Sequence, residues 1–122
     1  EAGELSDYMI KNETQNKSYI VSSNTKGAKL AQLRYRLIGA SDSYYLLEVE
    51  LITGRHHQIR AQLAHMGCPI KGDLKYGFPR SNQDASISLH AYKLKFEHPT
   101  TKNIISVKAP KPTGMPWDGF EL

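Results

Sequence analysis

The sequence predicts an α+β fold: a mixed, mainly antiparallel sheet built from hairpins, with one main helix. Paired runs of alternating apolar and polar residues flank short polar turns in the first half of the chain. After Thr53-Gly54 the apolar period lengthens to that of a helix, once only. Beyond a loop punctuated by Pro69, Gly72, Gly77 and Pro79, two more β-type runs complete the pattern.

The elements follow in order. ELSDYMIK (4–11) and KSYIVS (17–22) read as strands around the polar turn NETQN. In AQLRYRL, Ala31, Leu33, Tyr35 and Leu37 alternate with Gln32, Arg34 and Arg36, the pattern of a half-buried strand with one wet face. GASDS supplies turn residues, and YYLLEVELI answers with Tyr45, Leu47, Val49 and Leu51 on one side and Glu48 and Glu50 on the other. Ile59, Leu63 and Met66 then recur at helical spacing, closed by Gly67 ahead of Cys68-Pro69. Thr53 is positioned to cap this helix, which would put Arg55, His56, His57 and Gln58 in its first turn. PIKGDLKYGFPRSNQD reads as an ordered loop, ISLHAYKLKFEHP and NIISVKAP as strands around PTTK, and the proline-rich tail as irregular with Trp117 docking back.

Composition narrows the function classes. At 122 residues and 39% hydrophobic content, the chain fits one compact domain, residues 1–122. It has no apolar run long enough for a membrane span and no signal-peptide pattern. Cys68 is the only cysteine, so an intrachain disulfide and a cysteine zinc cage are excluded, and a reducing cytoplasm is the expected location. A net charge of +4 permits a nucleic-acid partner without establishing one.

The chemistry-bearing residues gather around the predicted helix. Five histidines suggest a metal, but adjacent His56 and His57 would point about 100° apart on a helix and no HExxH spacing exists. We expect no metal site. Cys68 lacks the surroundings of a nucleophile and is read as a small buried thiol. What stands out is a helix start crowded with Arg55, His56, His57 and Gln58, where the helix dipole favours an anion and cations are otherwise out of place. Those donors suggest a phosphate-bearing ligand; the bland alternative is that Arg55 pairs with Glu50 or Asp73.

LITGRHHQIRAQLAHMGCPIKGDLKYG closely resembles the hallmark segment of the RluA-type RNA pseudouridine synthases, written L-x-TGR-x-HQIR-x-H-(six residues)-PI-x-GD-x-x-YG. SLHAYKLKFEHP resembles that family's LHA-x-x-L-x-F-x-HP strand, so the likeness runs over residues 51–99. His56 stands where the family often has Thr or Ser, and Gln62 where it often has His. The family's catalytic segment HRLD-x-x-TSG has no counterpart: none of Asp7, Asp42, Asp73, Asp84 and Asp118 follows Arg-Leu. KSYIV resembles the family's tyrosine strand K-x-Y-x-A but follows GELSDY rather than preceding it, so Tyr19 is not read as that tyrosine.

The resemblance implies the C-terminal portion of a pseudouridine synthase catalytic domain, with the nucleophilic aspartate in an upstream portion of the same domain. That Glu1 is not a methionine points the same way. It implies an RNA partner, ribosomal or transfer, and chemistry that needs no metal, cofactor or energy source. By family correspondence Arg60 is the catalytic arginine that orients the aspartate, and Ile59 helps wall the uracil pocket. Arg55, His56, His57 and Gln58 would lie near the substrate, joined by Lys71, Lys75 and Tyr76 from the adjoining loop. A stand-alone RNA-binding module without catalysis is the alternative. With its carboxylate outside the chain, Arg60 would face water or a substitute such as Asp73. Arg60→Met is then expected to alter stability by about 1 kcal/mol or less.

Overall fold

The computed structural model describes residues 2–40, 44–82 and 87–89, and the backbone of 93–97 and 104–108. The chain divides into two units, Glu1–Ser88 and Leu89–Leu122. The expected turn PTTK, the tail with Trp117, and His90 and His98 lie outside the described residues.

In the first unit, strands β1 (Ala2–Asn12), β2 (Lys17–Val21), β3 (Lys29–Ala40) and β4 (Tyr45–Leu51) form one antiparallel sheet in the order β2-β1-β3-β4. β1 is long enough to serve two partners. Its C-terminal half pairs with β2, Tyr8 opposite Val21, and its N-terminal part pairs with β3, Leu5 opposite Leu33. The turn between β1 and β2 closes because the Asn12 side-chain oxygen accepts from the Gln15 N–H and Asn16 adopts φ 49, a left-handed conformation that asparagine tolerates.

The alternation read from AQLRYRL is realised: Ala31 and Leu33 are fully buried, while Arg34 and Arg36 face solvent. There Arg34 meets Glu4 and Glu50, and Arg36 meets Glu48, across the neighbouring strands. Such exposed pairs fix register more than they stabilise. β4 departs from expectation at its ends. The register slips at a bulge between Leu37 and Gly39, which pairs Leu46 with Gly39. Leu46 is therefore the buried residue of this strand, and Tyr45 and Leu51 are exposed; only Leu47 and Val49 keep the expected half-buried side.

Helix α1 (Gln58–His65) starts later than predicted, with His57 at its N-cap in a left-handed conformation, φ 52 and ψ 28. Thr53 does not cap it. Its hydroxyl accepts from the Gln32 N–H at 2.9 Å and donates to the Gln58 side chain at 2.8 Å, so it ties the approach loop to β3. Arg55 and His56 consequently precede the helix rather than line its first turn. The C-terminal end is as read: Gly67 takes φ 92, and the Cys68 N–H bonds back to the Leu63 carbonyl at 2.8 Å. Cys68, just past that turn, is exposed, contrary to the buried thiol expected.

The core joins this helix to the sheet. Met9, Ala31 and Ala61 are buried together, with Ile20 and Tyr76 packed against them. Alanine at 61 lets the helix approach the sheet closely. Two glutamines share this buried surface, Gln58 at 3% and Gln62 at 1% exposure, and hydrogen bonds to the sheet accompany their burial. Gln62 Nε2 donates to the Asp7 carboxylate and to the Ala31 carbonyl. A short 3-10 turn, Leu74–Tyr76, follows within the loop PIKGDLKYG. In the second unit, β5 (Lys93–Glu97) and β6 (Ile104–Lys108) make an antiparallel pair with Phe96 opposite Ile105.

Candidate functional site

The site grows from a loop that the sequence makes rigid. Gln58 opens α1 with its side chain folded back. Its Oε1 accepts from the Arg55 N–H at 2.9 Å and from Thr53, and its Nε2 donates to the Gln32 carbonyl at 2.9 Å. Both amide atoms are thereby engaged within the protein, so Gln58 shapes the loop that carries Arg55, His56 and His57 rather than offering a free group to a ligand. Ile59 sits half-buried on the next position of the helix.

Arg60 projects from the first turn of α1 onto Asp73. Its Nε donates to Asp73 Oδ2 and its Nη2 to Oδ1, both at 2.9 Å, a two-point grip of guanidinium on carboxylate. Asp73 is 1% exposed and the Arg60 side chain 20%, so the pair closes over a buried carboxylate but leaves the guanidinium reachable. Hydrogen bonding to Asp73, above all, raises the Arg60 pKa further and keeps it cationic. The substitute acceptor considered from sequence is therefore real, and its burial overturns the expectation that Arg60→Met would be nearly neutral. Removing the guanidinium would strand a buried carboxylate.

Around this pair the two histidines and Tyr76 interlock. His57 Nε2 lies 3.1 Å from Arg60 Nη1, and its Nδ1 lies 2.8 Å from the Tyr76 hydroxyl. His56 stacks on His57 with ring centroids 3.8 Å apart, and its nitrogens meet Ser18 Oγ at 2.8 Å and Asn16 Oδ1 at 3.0 Å. Tyr76 presents its edge to His57 and its face to Arg60, and its hydroxyl accepts from the Ser18 N–H at 2.8 Å. Burial, first, and then the Arg60 charge lower the His57 pKa to about 4. Burial also lowers that of His56, with Lys11 adding to it, and raises that of Tyr76. At neutral pH the rings are therefore uncharged and Arg60 carries the positive charge of this group.

The remaining basic residues spread outward. Lys75 donates to the Gln15 and Asn16 carbonyls, pinning the β1–β2 turn beside His56. Lys17 Nζ lies over the rings of both Tyr19 and Tyr76, 5.1 and 5.3 Å from their centroids, at an open groove of about 280 Å³ floored by Ile20, Ala61 and Ala64. Arg55 is exposed and its Nε donates to the Leu30 carbonyl at 2.8 Å; it pairs with neither Glu50 nor Asp73. Lys71 turns instead to Asn82 and the Tyr44 ring.

Of the residues predicted for the site, His56, His57, Arg60, Lys75 and Tyr76 are thus brought into one contiguous network, while Arg55 and Lys71 stand outside its hydrogen bonds. Sequence reasoning missed Asn16, Lys17 and Ser18, which reach the network only because β2 packs against α1. Nothing in their local pattern marks them.

The four-stranded sheet thus carries a TGR-x-HQIR loop whose arginine is gripped by the aspartate of the following GD turn. Residues 1–65 match the RNA pseudouridylate synthase family, and the chain belongs to that family. A Chloroflexus aurantiacus protein named an uncharacterized RNA pseudouridine synthase is 44% identical over 86 residues, covering 70% of this chain and 27% of its own length. The ribosomal large subunit pseudouridine synthase C of Yersinia pestis is 32% identical over 108 residues, 84% of this chain and 33% of its own. Among solved structures, human RNA Pseudouridylate Synthase Domain Containing 1 superposes with a TM-score of 0.72 at 26% identity, over 91% of this chain and 49% of that one. The chain thus spans roughly a third or less of the length of these curated relatives. No helix among the described residues is long and apolar enough to cross a membrane.

Proposed function

We propose that this chain is the C-terminal portion of the catalytic domain of an RNA pseudouridine synthase, which isomerises uridine to pseudouridine in ribosomal or transfer RNA. Ribosomal RNA is favoured, because matched relatives are named ribosomal large subunit pseudouridine synthases. The observation that carries the reading is the Arg60 guanidinium, held in one orientation at the start of α1 and still partly open to solvent.

In the complete enzyme a uridine is turned out of the RNA into the pocket, as chemistry on a base requires. An aspartate from the portion outside this chain is the nucleophile; the C1′–N1 bond breaks, the uracil rotates, a C1′–C5 bond replaces it, and C5 loses its proton as N1 gains one. Arg60 meets that aspartate, holding it ionised and oriented, while Ile59 walls the uracil pocket. His56, His57, Lys71, Lys75 and Tyr76 surround the substrate, largely by fixing the surface it meets. Arg55 retains free terminal N–H groups for phosphate. No metal or cofactor takes part, and the enzyme works in the cytoplasm, where its RNA is found.

Nucleoside mass analysis of RNA incubated with the chain tests the assignment. The chain alone should yield no pseudouridine, and the complete protein should yield it. Product from the chain alone would refute the placement of the nucleophile, and none from the complete protein would leave RNA binding without catalysis.

A further inference from the structure

Hydrogen-bond chemistry fixes the state of the ring beside Arg60. A guanidinium only donates, so His57 Nε2, 3.1 Å from Arg60 Nη1, accepts and carries no proton. The neutral ring then holds its proton on Nδ1 and donates it to the Tyr76 hydroxyl at 2.8 Å. The Ser18 N–H donates to the same oxygen from β2, also at 2.8 Å. Both lone pairs of Tyr76 are taken, so the hydroxyl cannot turn to accept elsewhere. The tautomer of His57 is thereby set by Arg60, three residues on, and matched by the Tyr76 hydroxyl, 19 residues away, which the Ser18 N–H of β2 holds in place.

The backbone supports the same arrangement. His57 occupies the N-cap of α1 at φ 52 yet makes no capping bond with its side chain. Residues other than glycine adopt this conformation sparingly, and when they do the surroundings must hold them there. Here the ring is clasped between His56, Tyr76 and Arg60. The groups facing it are the Arg60 and Lys75 cations and the titratable His56 ring, which oppose its protonation, and Asp73, which favours it. With Nε and Nη2 on Asp73 and Nη1 on His57, three of the five N–H groups of Arg60 are engaged, and one remains on each terminal nitrogen.

We propose that His57 is a positioning residue: as the Nδ1–H tautomer it clamps Arg60 Nη1 and, with Asp73, orients the guanidinium so that its two remaining N–H groups meet an incoming carboxylate. This rests on the reading that the complete enzyme brings a nucleophilic aspartate to Arg60. His57 acts through Arg60 and does not itself touch the substrate's reacting atoms.

Nitrogen-resolved NMR of the chain at neutral pH should show His57 protonated at Nδ1 and bare at Nε2, with slow rotation of the Arg60 terminal nitrogens. His57→Gln and His57→Met then separate the acceptor from mere bulk, because the side chains are similar in length and only glutamine offers an oxygen to Arg60. Rotation at Arg60 should quicken in His57→Met and slow again in His57→Gln. In the complete enzyme His57→Met should lower kcat about tenfold or more, with KM for RNA changed less than about twofold, and His57→Gln should restore most of the loss. A proton on Nε2, equal kcat for the two variants, or a loss confined to KM would overturn the proposal. If His57→Met does not fold, the tautomer of the unaltered chain and the kcat of His57→Gln decide. A complete enzyme that makes no pseudouridine would refute the function reading, while the NMR measurements would still decide whether His57 clamps Arg60.

Discussion

Arg60→Met should unfold much of what the sequence alone suggested it would spare. The guanidinium makes two charge-assisted hydrogen bonds at 2.9 Å to Asp73, whose side chain is 1% exposed, and a third at 3.1 Å to His57. Methionine fills a similar volume but offers no donor, so the carboxylate is left buried without a counter-ion. Breaking a buried pair from one side costs about 3–5 kcal/mol. Against a typical total of about 5–15 kcal/mol, that is about a fifth or more of the stability. With an unfolding entropy of about 2 cal/mol/K per residue, each kcal/mol lowers Tm by about 4 °C in a chain of this size. Far-UV circular dichroism melts should therefore show a fall of about 12–20 °C. Arg60→Met with Asp73→Leu removes both charges and should recover most of it, because an apolar pair of similar volume is often neutral in such sites. A fall below about 4 °C, or no recovery in the double variant, would show that the pair is solvated and contributes little.

Gln58→Leu deletes the amide that joins Thr53, the Arg55 N–H and the Gln32 carbonyl, and should cost about 1–3 kcal/mol in chemical denaturation; an unchanged midpoint would mean the loop holds without it. The His57 pKa is lowered from 6.5 to about 4, so the unfolded chain takes up this proton before the folded one does. Its contribution to stability is whole above pH 6.5, shrinks as pH falls from there to about 4, and changes no further below; the difference in Tm between the unaltered chain and His57→Gln should narrow over that window, and a pH-independent difference would refute the shift. RNA affinity should be weak and fall steeply with salt, and Arg55→Ala should lower the salt slope by about one. An affinity flat in salt, or a slope unmoved by Arg55→Ala, would remove Arg55 from the interface.

The strands were legible because alternation is a local signal. Ala31, Leu33, Arg34 and Arg36 declare their faces from the residues beside them, and the sheet had only to pair them. The bulge at Leu37–Gly39 was not legible, since it depends on how a second strand meets the first, and it exchanged Tyr45 for Leu46 as the buried side chain. The start of α1 failed for a related reason. A threonine ahead of a helical pattern is a sound cap unless its hydroxyl is wanted elsewhere, and here Gln32, 21 residues upstream, claims it. The burial of Gln58 and Gln62 is likewise decided by Gln32, Ala31 and Asp7 rather than by their own helix.

The same distinction separates what could be read of the site from what could not. The TGR-x-HQIR and GD-x-x-YG segments made Arg60, His57 and Tyr76 visible, because a resemblance transfers residues one at a time. It did not transfer the arrangement in which Asp73 grips Arg60 from the buried side and Ser18 fixes Tyr76 from β2. That arrangement changes what the predicted contacts are for. His56, His57 and Lys75 were expected to spend their polar atoms on RNA, yet each directs them to Asn16, Ser18, Gln15, Tyr76 or Arg60. If the proposed function holds, a surface that meets a turned-out base gains from this, since donors already held in place lose little freedom when the substrate arrives. On the proposed function, Arg55 at the loop and Lys17 over its two tyrosines are among the cations that keep N–H groups to meet phosphate.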